Sequence, residues 1–337
     1  MTLGWDAGWD AARRARDADG ALVPVRIAAE HRGAYHGLDA AGALAWIELP
    51  GVAFHRAADK RELPTVGDWV LVERWTDAVA ERGAAVVREL LPRRSLLVRK
   101  AAGEATAPQP LAANVDVGIV MTSANADLVP ARLDRYVGLL RDGGIEPVIV
   151  VSKIDLASDV DGVLAAARAV HPDVLAASVV TGAGVDAIRA RVGPDRTCVL
   201  LGSSGVGKST LLNAVAGTAQ DTRDIRADER GRHTTTRREL FVAGDGSLWI
   251  DTPGMRELAQ YIDEDEQEAA FDDITELAAS CRFRDCQHRD EPGCAVRDAV
   301  APQRLASFHK LAAERAATVK KITEAPRKRK PKPPPSE

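Results

Sequence analysis

The hydrophobic pattern divides the chain into regions of different periodicity. Residues 1 to about 20 are mostly polar and predict a loose leader. Beyond residue 22, short apolar segments alternate with turn signals such as Val66-Gly67-Asp68, up to about residue 91. The clearest of these segments are 23–27, 43–49, 68–73 and 85–90. About five such strands predict a small β-barrel, with an OB-fold as the leading candidate and another small barrel without a ligand as the alternative.

Strands and helices alternate in the middle of the chain, after a loop predicted at residues 101–110. In the first predicted helix, Leu133, Val137 and Leu140 share one face, and Gly143 supplies the stop. The predicted strands are 114–123, 147–152, 174–179, 197–201 and 247–251, and the predicted helices are 130–142, 158–170 and 209–216. This alternation predicts a parallel sheet with helices on both faces. From about residue 263 onward the pattern is helical, except for one loop that contains cysteine and histidine.

A glycine-rich segment joins the strand predicted at 197–201 to the helix predicted at 209–216. Its residues are Gly202, Ser203, Ser204, Gly205, Val206, Gly207, Lys208 and Ser209, followed by Thr210. Glycines let successive backbone N–H groups converge on phosphate oxygens, and the amino terminus of the helix adds a favourable dipole. Lys208 is expected to reach the β- and γ-phosphates of a nucleotide, and the Ser209 hydroxyl to bind Mg²⁺. The alternative is a glycine-rich turn without a ligand.

An Asp-Thr-Pro-Gly sequence ends the strand predicted at 247–251. Asp251 is expected to hold Mg²⁺ through water, and the backbone amide of Gly254 to sense the γ-phosphate. Such a tetrapeptide is by itself only a turn. Its position at a strand end, about forty residues after a phosphate loop, favours a role in nucleotide binding.

The segment Ser152-Lys153-Ile154-Asp155 follows the strand predicted at 147–152 and resembles the Asn-Lys-x-Asp guanine motif of GTPases. The Asp155 carboxylate can accept from both N1–H and the 2-amino group of guanine, whereas adenine offers neither donor. The stem of Lys153 is expected to pack along the base. Ser152 stands where Asn is usual, so one polar contact to the base is expected to be lost or shortened.

The base motif at 152–155 precedes the phosphate loop at 202–209, whereas ordinary GTPases have the opposite order. These loops are all expected at one edge of a parallel sheet, so the site is preserved when the chain termini are moved to another connection. We therefore interpret the core as circularly permuted. Ser178-Val179, at the end of a further predicted strand, is either the loop that supports the base or an ordinary strand end.

The loop within the C-terminal helical region has the spacing Cys-x4-Cys-x-His-x5-Cys, with candidate ligands Cys281, Cys286, His288 and Cys294. Three thiolates and one imidazole are a ligand set of structural Zn²⁺, and such a site leaves no open position for catalysis. Cysteines that are merely buried are the alternative. The fourth cysteine of the chain, Cys198, is expected in the core of the sheet.

The net charge of −4 over 337 residues conceals an uneven distribution. Residues 320–337 contain seven Lys or Arg and two Glu, so this tail carries +5 and the rest of the chain −9. The tail either contacts a polyanion or is simply solvated. The longest apolar runs, such as 148–151, are far shorter than the roughly 20 residues of a membrane span, and the first ten residues contain no apolar signal core. We therefore expect a cytoplasmic protein without a membrane partner.

Together these features resemble the small ribosomal subunit biogenesis GTPases, the RsgA family. The stretches that carry the resemblance are 92–95, 133–136, 202–210, 231–236, 251–254 and 290–295. The expected fold is a circularly permuted α/β P-loop GTPase core with an N-terminal OB-like β-barrel and a C-terminal helical zinc-binding domain. The expected boundaries are 1–98 for the leader and barrel, 99–261 for the GTPase domain and 262–337 for the zinc-binding domain with its basic tail.

The resemblance implies a bacterial factor that binds the nearly mature small ribosomal subunit and its rRNA, and hydrolyses GTP to GDP when the subunit stimulates it. We expect a monomer that uses GTP, Mg²⁺ and one Zn²⁺ per chain. The resemblance also implies that residues 228–238 form the first switch, in which Thr235 is the favoured Mg²⁺ ligand. Met255 stands where many GTPases place a glutamine that orients water, so His233 is the candidate for that task, or else an ordinary loop histidine.

Three functions compete at this point. The chain is a GTPase that acts as a ribosome-assembly switch, an RNA-binding module whose GTP site is only regulatory, or a metabolic P-loop ATPase or kinase. Asp155 and the lack of a motif for a second substrate disfavour the last. The first two differ in whether small subunits accelerate hydrolysis.

Overall fold

The computed structural model describes residues 2–31, 34–99, 109–125, 128–203, 205–216, 238–251, 272–283 and 286–300, together with residues 302, 305, 308 and 309. The chain forms two compact units, Met1–Asp263 and Glu264–Glu337. The finer division expected at residues 98 and 261 stays a prediction.

The residues before the barrel are folded, contrary to the loose leader expected from their polar composition. Helix α1 spans Ala7–Arg14, and the Asp6 carboxylate caps it by accepting from the backbone N–H of Gly8 at 2.9 Å and of Trp9 at 3.2 Å. Trp9 is only 3% exposed, and its ring stacks on Trp5 with centroids 6.2 Å apart. Sequence periodicity missed α1 because a single tryptophan, and not an apolar stripe, is the buried residue of the helix.

Five strands of the first unit close into a barrel. They are β1 Val23–His31, β2 Ala34–Leu38, β3 Leu44–Glu48, β4 Trp69–Glu73 and β5 Ala85–Leu90. The strands pair in the order β1-β2-β3-β5-β4, β4 returns to β1, and β3 runs parallel to β5. Helix α2 (Gly51–Arg56) lies between β3 and β4 in the chain, and α3 (Trp75–Val79) between β4 and β5. The expected OB-like barrel is confirmed.

A hairpin replaces part of the loop expected at residues 101–110. Strands β6 (Leu96–Arg99) and β7 (Gln109–Ala113) are antiparallel, so Gln109 and Pro110 belong to a strand, and residues 101–108 lie outside the described residues. The strand expected at 114–123 begins only at Val117. Asn114 explains the interruption, because its φ of 53° lies in the left-handed region and turns the chain.

Six further strands form the second part of the sheet. They are β8 Val117–Ser123, β9 Glu146–Ser152, β10 Val174–Ala176, β11 Thr197–Gly202, β12 Glu239–Val242 and β13 Leu248–Asp251. Their order is β10-β9-β8-β11-β13-β12, and all neighbours are parallel except β12 and β13. The expected parallel sheet is confirmed, although β12 was not predicted.

Helices cover both faces of this sheet. They are α4 Pro130–Asp142, α5 Val160–Val170, α6 Val185–Val192 and α7 Lys208–Ala216. Buried residues of α4 and α5 belong to one apolar core, and those of α6 and α7 to the other. The bounds of α4 agree with the prediction because Pro130 begins the first turn and Gly143 follows the last residue. Helix α6 was not predicted.

The direction of the chain reverses at the centre of the sheet. From β8 the chain runs outward through β9 to β10, then returns to β11 beside β8 and continues to the other side. In parallel sheets, ligands bind outside the carboxyl ends of the strands at such a reversal. At the far side, β12 pairs with β1 through Glu239 and Ala29, so the sheet continues into the barrel.

The second unit contains two short described helices, α8 (Asp272–Ala278) and α9 (Ala295–Ala299). Ile274, Cys294 and Val296 form its small core. Residues 302, 305, 308 and 309 are helical, in agreement with the helical pattern expected in this part of the chain. Among all described residues, no helix combines the length and the apolar character that crossing a membrane requires.

Arg26 on β1 is a buried guanidinium that joins four segments of the first unit. Its Nε donates to the Gly67 carbonyl at 3.2 Å, and Nη1 donates to the carbonyl of Leu3. Its Nη2 donates to the Asn114 carbonyl at 3.1 Å and to the Thr197 hydroxyl at 2.7 Å. Burial lowers the Arg26 pKa to about 10, still far above neutrality, so the side chain stays charged.

Replacing Arg26 with Met should destabilise the first unit, because buried acceptors lose their donors and each unsatisfied group costs about 1–3 kcal/mol. We expect a loss of at least about 2 kcal/mol, seen as a lower midpoint of thermal unfolding. Arg14→Met is the matched control, since Arg14 is exposed on α1. Equal midpoints for the two variants would contradict the importance of the buried guanidinium.

Candidate nucleotide site and metal centre

The glycine-rich segment lies between β11 and α7, as expected for a phosphate loop. Gly202 ends β11 with φ 135°, and a Cβ there would lie 2.3 Å from the Met121 carbonyl oxygen of β8. Only glycine therefore allows β11 to end this close to β8. Gly205 also has a positive φ, of 80°, but the space around it is open.

Lys208 begins α7 and turns back over the loop. Its Nζ donates to the carbonyls of Gly202 and Ser203, each at 2.6 Å. Ser209 and Thr210 follow in the first turn of α7, and both are exposed. An ammonium group at the loop centre and an exposed hydroxyl at the helix start are groups that bind phosphate and Mg²⁺. The residue between Ser203 and Gly205, Ser204, lies outside the described residues.

The base motif contacts the phosphate loop, although the contacting residues are 52 and 54 positions apart in sequence. The hydroxyl of Ser152, at the end of β9, lies 2.7 Å from the Val206 carbonyl and 3.0 Å from the Thr122 carbonyl. Lys153 has a φ of 55° and its Nζ donates to the Gly205 carbonyl at 2.8 Å. The structure therefore brings together two motifs that were predicted independently.

Asp155 is exposed in a 3₁₀ turn, Ile154–Leu156, directly after these contacts. The backbone N–H of Ile154 donates to the Ala177 carbonyl at 3.3 Å, which fixes the base motif beside the next loop. In that loop the Ser178 hydroxyl accepts from the backbone N–H of Thr181 at 3.3 Å, and Val180 is 88% exposed. An exposed carboxylate therefore follows directly after the two residues that contact the phosphate loop.

Asp251 ends β13, which is the neighbour of β11 in the sheet. It is partly exposed at the same edge as the phosphate loop, where an expected ligand of a hydrated Mg²⁺ should lie. Gly254, His233 and Thr235 lie outside the described residues. Their expected roles therefore stay predictions.

Sequence reasoning missed the groups that fix the base motif in place. These are the backbone carbonyls of Thr122, Ala177, Gly205 and Val206. Every residue has such a carbonyl, so residue type gives no signal for them. Their positions follow only from the strand order that puts β8 between β9 and β11.

The predicted metal ligands also come together, in the second unit. One ligand atom from each of Cys281, Cys286, His288 and Cys294 lies within 4.8 Å of all the others. His288 Nδ1 is 3.6 Å from Cys281 Sγ and 3.4 Å from Cys294 Sγ, and these two sulfurs are 3.9 Å apart. Tetrahedral zinc with Zn–S bonds of about 2.3 Å requires sulfurs about 3.8 Å apart. The cluster therefore fits one zinc ion.

Backbone N–H groups around α9 point at the sulfurs. The N–H of Arg297 donates to Cys294 Sγ at 3.4 Å. The pKa of the Cys281 thiol lies below its ordinary value, mainly because the Val296 backbone donates a hydrogen bond to it. At Cys281 these donors favour the thiolate, which is the form that binds metal, whereas burial raises the pKa of the Cys286 thiol to about 11.

The chain is similar to known proteins along most of its length. A family model described as RsgA GTPase matches residues 90–260. A small ribosomal subunit biogenesis GTPase RsgA of Opitutus terrae is 39% identical over 335 residues, covering 95% of this chain and 91% of that protein. A protein of the same name from Methanosarcina acetivorans is 44% identical over 260 residues, covering 74% of this chain and 69% of that protein. The crystal structure of YjeQ from Thermotoga maritima, 24% identical, has a similar fold, with a TM-score of 0.51 over 87% of this chain and 98% of that one.

Replacing Gly202 with Ala should weaken nucleotide binding, because the new methyl group collides with the Met121 carbonyl and displaces the loop. We expect at least a tenfold rise in the dissociation constant for a fluorescent GDP analogue, or about 1.4 kcal/mol. Gly205→Ala is the control, since it meets only the strain of a positive φ, and its effect should be smaller. Equal effects of the two variants would contradict this reading of the β8–β11 contact.

Proposed function

This chain belongs to the RsgA GTPase family, and from that membership we propose that it hydrolyses GTP during late maturation of the small ribosomal subunit. In this proposal it binds the subunit and its rRNA, and the bound subunit stimulates hydrolysis. The observation that carries the proposal is the direct contact between the base motif and the phosphate loop. The names of the relatives supply the biological setting.

The phosphate loop would hold the β- and γ-phosphates of GTP. Lys208 can exchange its bonds to loop carbonyls for bonds to phosphate oxygens, and its charge offsets theirs. Ser209 and Thr235 would bind Mg²⁺ directly and Asp251 through water, while the Gly254 amide would face the γ-phosphate. Magnesium, when bound, neutralises charge that develops on the phosphate oxygens.

Water must be placed in line with the γ-phosphate for hydrolysis. Met255 has no group that can do this, so His233 of the first switch is the candidate residue. Slow hydrolysis by the isolated chain and faster hydrolysis on the subunit would follow if the subunit orders that switch.

Three further statements belong to the same proposal. The cluster of three cysteines and one histidine holds one structural Zn²⁺ per chain. The OB-like barrel contacts rRNA, since this barrel type commonly binds oligonucleotides. The protein acts in the cytoplasm as a monomer, and the basic tail, which lies outside the described residues, adds contacts with RNA phosphates.

Asp155→Asn should reduce the preference for guanine, because the amide presents a donor where guanine also donates. We expect GTP affinity to fall at least tenfold, about 1.4 kcal/mol, while ATP affinity changes little. Asp161→Asn is the matched control, being an exposed aspartate in the first turn of α5. The base-reading role is wrong if competition binding gives Asp155→Asn the same GTP-to-ATP preference as the unmodified chain.

Purified small ribosomal subunits should accelerate GTP turnover by the full chain at least tenfold, which lowers the barrier by about 1.4 kcal/mol. The measurement is phosphate release with and without subunits at one salt concentration, because phosphate contacts make RNA binding depend steeply on salt. Lys208→Ala should stay inactive in both conditions, which excludes a contaminating GTPase. Turnover that does not respond to subunits would leave a GTPase whose RNA contacts do not control it.

A further inference from the structure

A carboxylate outside the ligand set holds the backbone on both sides of the zinc ligand His288. Glu291 Oε1 accepts from the backbone N–H of Gln287 at 2.8 Å, and Oε2 accepts from that of Arg289 at 2.8 Å. One side chain therefore uses both of its oxygens to fold the tripeptide 287–289 around itself. Concave groups of backbone N–H donors of this kind bind anions.

His288 needs such support, because its backbone conformation is unusual. Its φ of 58° lies in the left-handed region, which non-glycine residues occupy rarely and at an energetic cost. This conformation turns the buried ring toward Cys281 and Cys294, whose sulfurs lie 3.6 and 3.4 Å from Nδ1. The His288 carbonyl is held as well, since it accepts from His309 Nε2 at 3.2 Å.

The electrostatics of Glu291 agree with this geometry. Its pKa is lowered to about 2, first by the hydrogen bond from the Gln287 backbone, then by its own N–H and that of Arg289. The carboxylate is therefore charged at neutral pH, and its hydrogen bonds are the strong, charge-assisted kind. The neighbouring Asp290 is exposed, whereas Glu291 is partly buried.

We propose that Glu291 is the positioning residue of the metal centre, which holds His288 in the conformation that completes a closed set of three sulfurs and one nitrogen. This inference rests on the proposed zinc binding. Without Glu291, His288 would relax toward an ordinary φ and its imidazole would leave the ligand set, so the three cysteines would hold the ion with its fourth position open to water. A structural site with four protein ligands would then become a site with three protein ligands and one open position.

The test uses the full chain and two isosteric variants, Glu291→Gln and Asp290→Asn. Each variant removes one negative charge, and the two positions are adjacent in sequence. Only Glu291→Gln places a side-chain N–H donor against a backbone N–H, where the carboxylate had accepted a hydrogen bond. We expect Glu291→Gln to release zinc to an excess of a chromogenic chelator about 10- to 100-fold faster than the unmodified chain, because loss of a residue that supports a ligand typically weakens metal affinity by such a factor. Asp290→Asn should release zinc at the unmodified rate.

Cobalt substitution gives a second readout that reports the ligand set itself. His288→Ala, saturated with Co²⁺, provides the ligand-field spectrum of three thiolates without the imidazole. At saturating Co²⁺, Glu291→Gln should shift from the unmodified spectrum toward that of His288→Ala. An unmodified spectrum together with an unmodified release rate would overturn the inference. If the unmodified chain binds no zinc, the proposed zinc site itself fails, which is a different result.

Discussion

The guanidinium of Arg26 is the contact on which the arrangement of the first unit depends. It is fully buried and it donates to a segment before the barrel, a barrel turn, the turn after β7 and the first residue of β11. A lysine could satisfy only three acceptors from one point, whereas the planar guanidinium reaches acceptors in several directions. The negative charges of nearby Asp116 and Asp68 offset part of the cost of burying this charge. Because Arg26 bonds to Thr197, the barrel is fixed at the amino end of β11, and the carboxyl end remains open for the nucleotide.

Continuity of the sheet creates a second link between the barrel and the nucleotide site. Strand β1 pairs with β12 through Ala29 and Glu239, and the adjacent Arg238 donates to the Glu30 carboxylate at 3.0 Å and to the Pro110 carbonyl at 2.9 Å. Arg238 is the last residue of the proposed first switch. One end of that proposed segment is therefore attached to the barrel.

The sequence predicted the sheet and the motifs well where one residue type has one physical meaning. Proline at the start and glycine after the end predicted the bounds of α4, and the glycine pattern located the loop between β11 and α7. Prediction from the sequence failed where the burial of a residue depends on partners far away in the chain. Helix α1 is held in place by the stacking of Trp9 on Trp5 and by an ion pair between Asp6 and Arg94. No local sequence pattern predicts these contacts. The support of His288 by Glu291 was missed for a similar reason, because an acidic residue in a polar loop looks like an ordinary solvated one.

The permuted order of the chain leaves the nucleotide site intact because the contacts that build it cross the reversal in the sheet. Ser152 and Lys153 come from the half that runs outward from β8, and they contact the Val206 and Gly205 carbonyls of the half that begins with β11. Neighbouring strands at the centre of the sheet stay neighbours wherever the chain is cut. What the permutation changes is the segment that follows the site. After Asp251 the chain continues in sequence into the unit that carries the cysteines and histidine, so the residues proposed to face the γ-phosphate directly precede that unit in sequence. In the usual order, by contrast, the base motif would separate them.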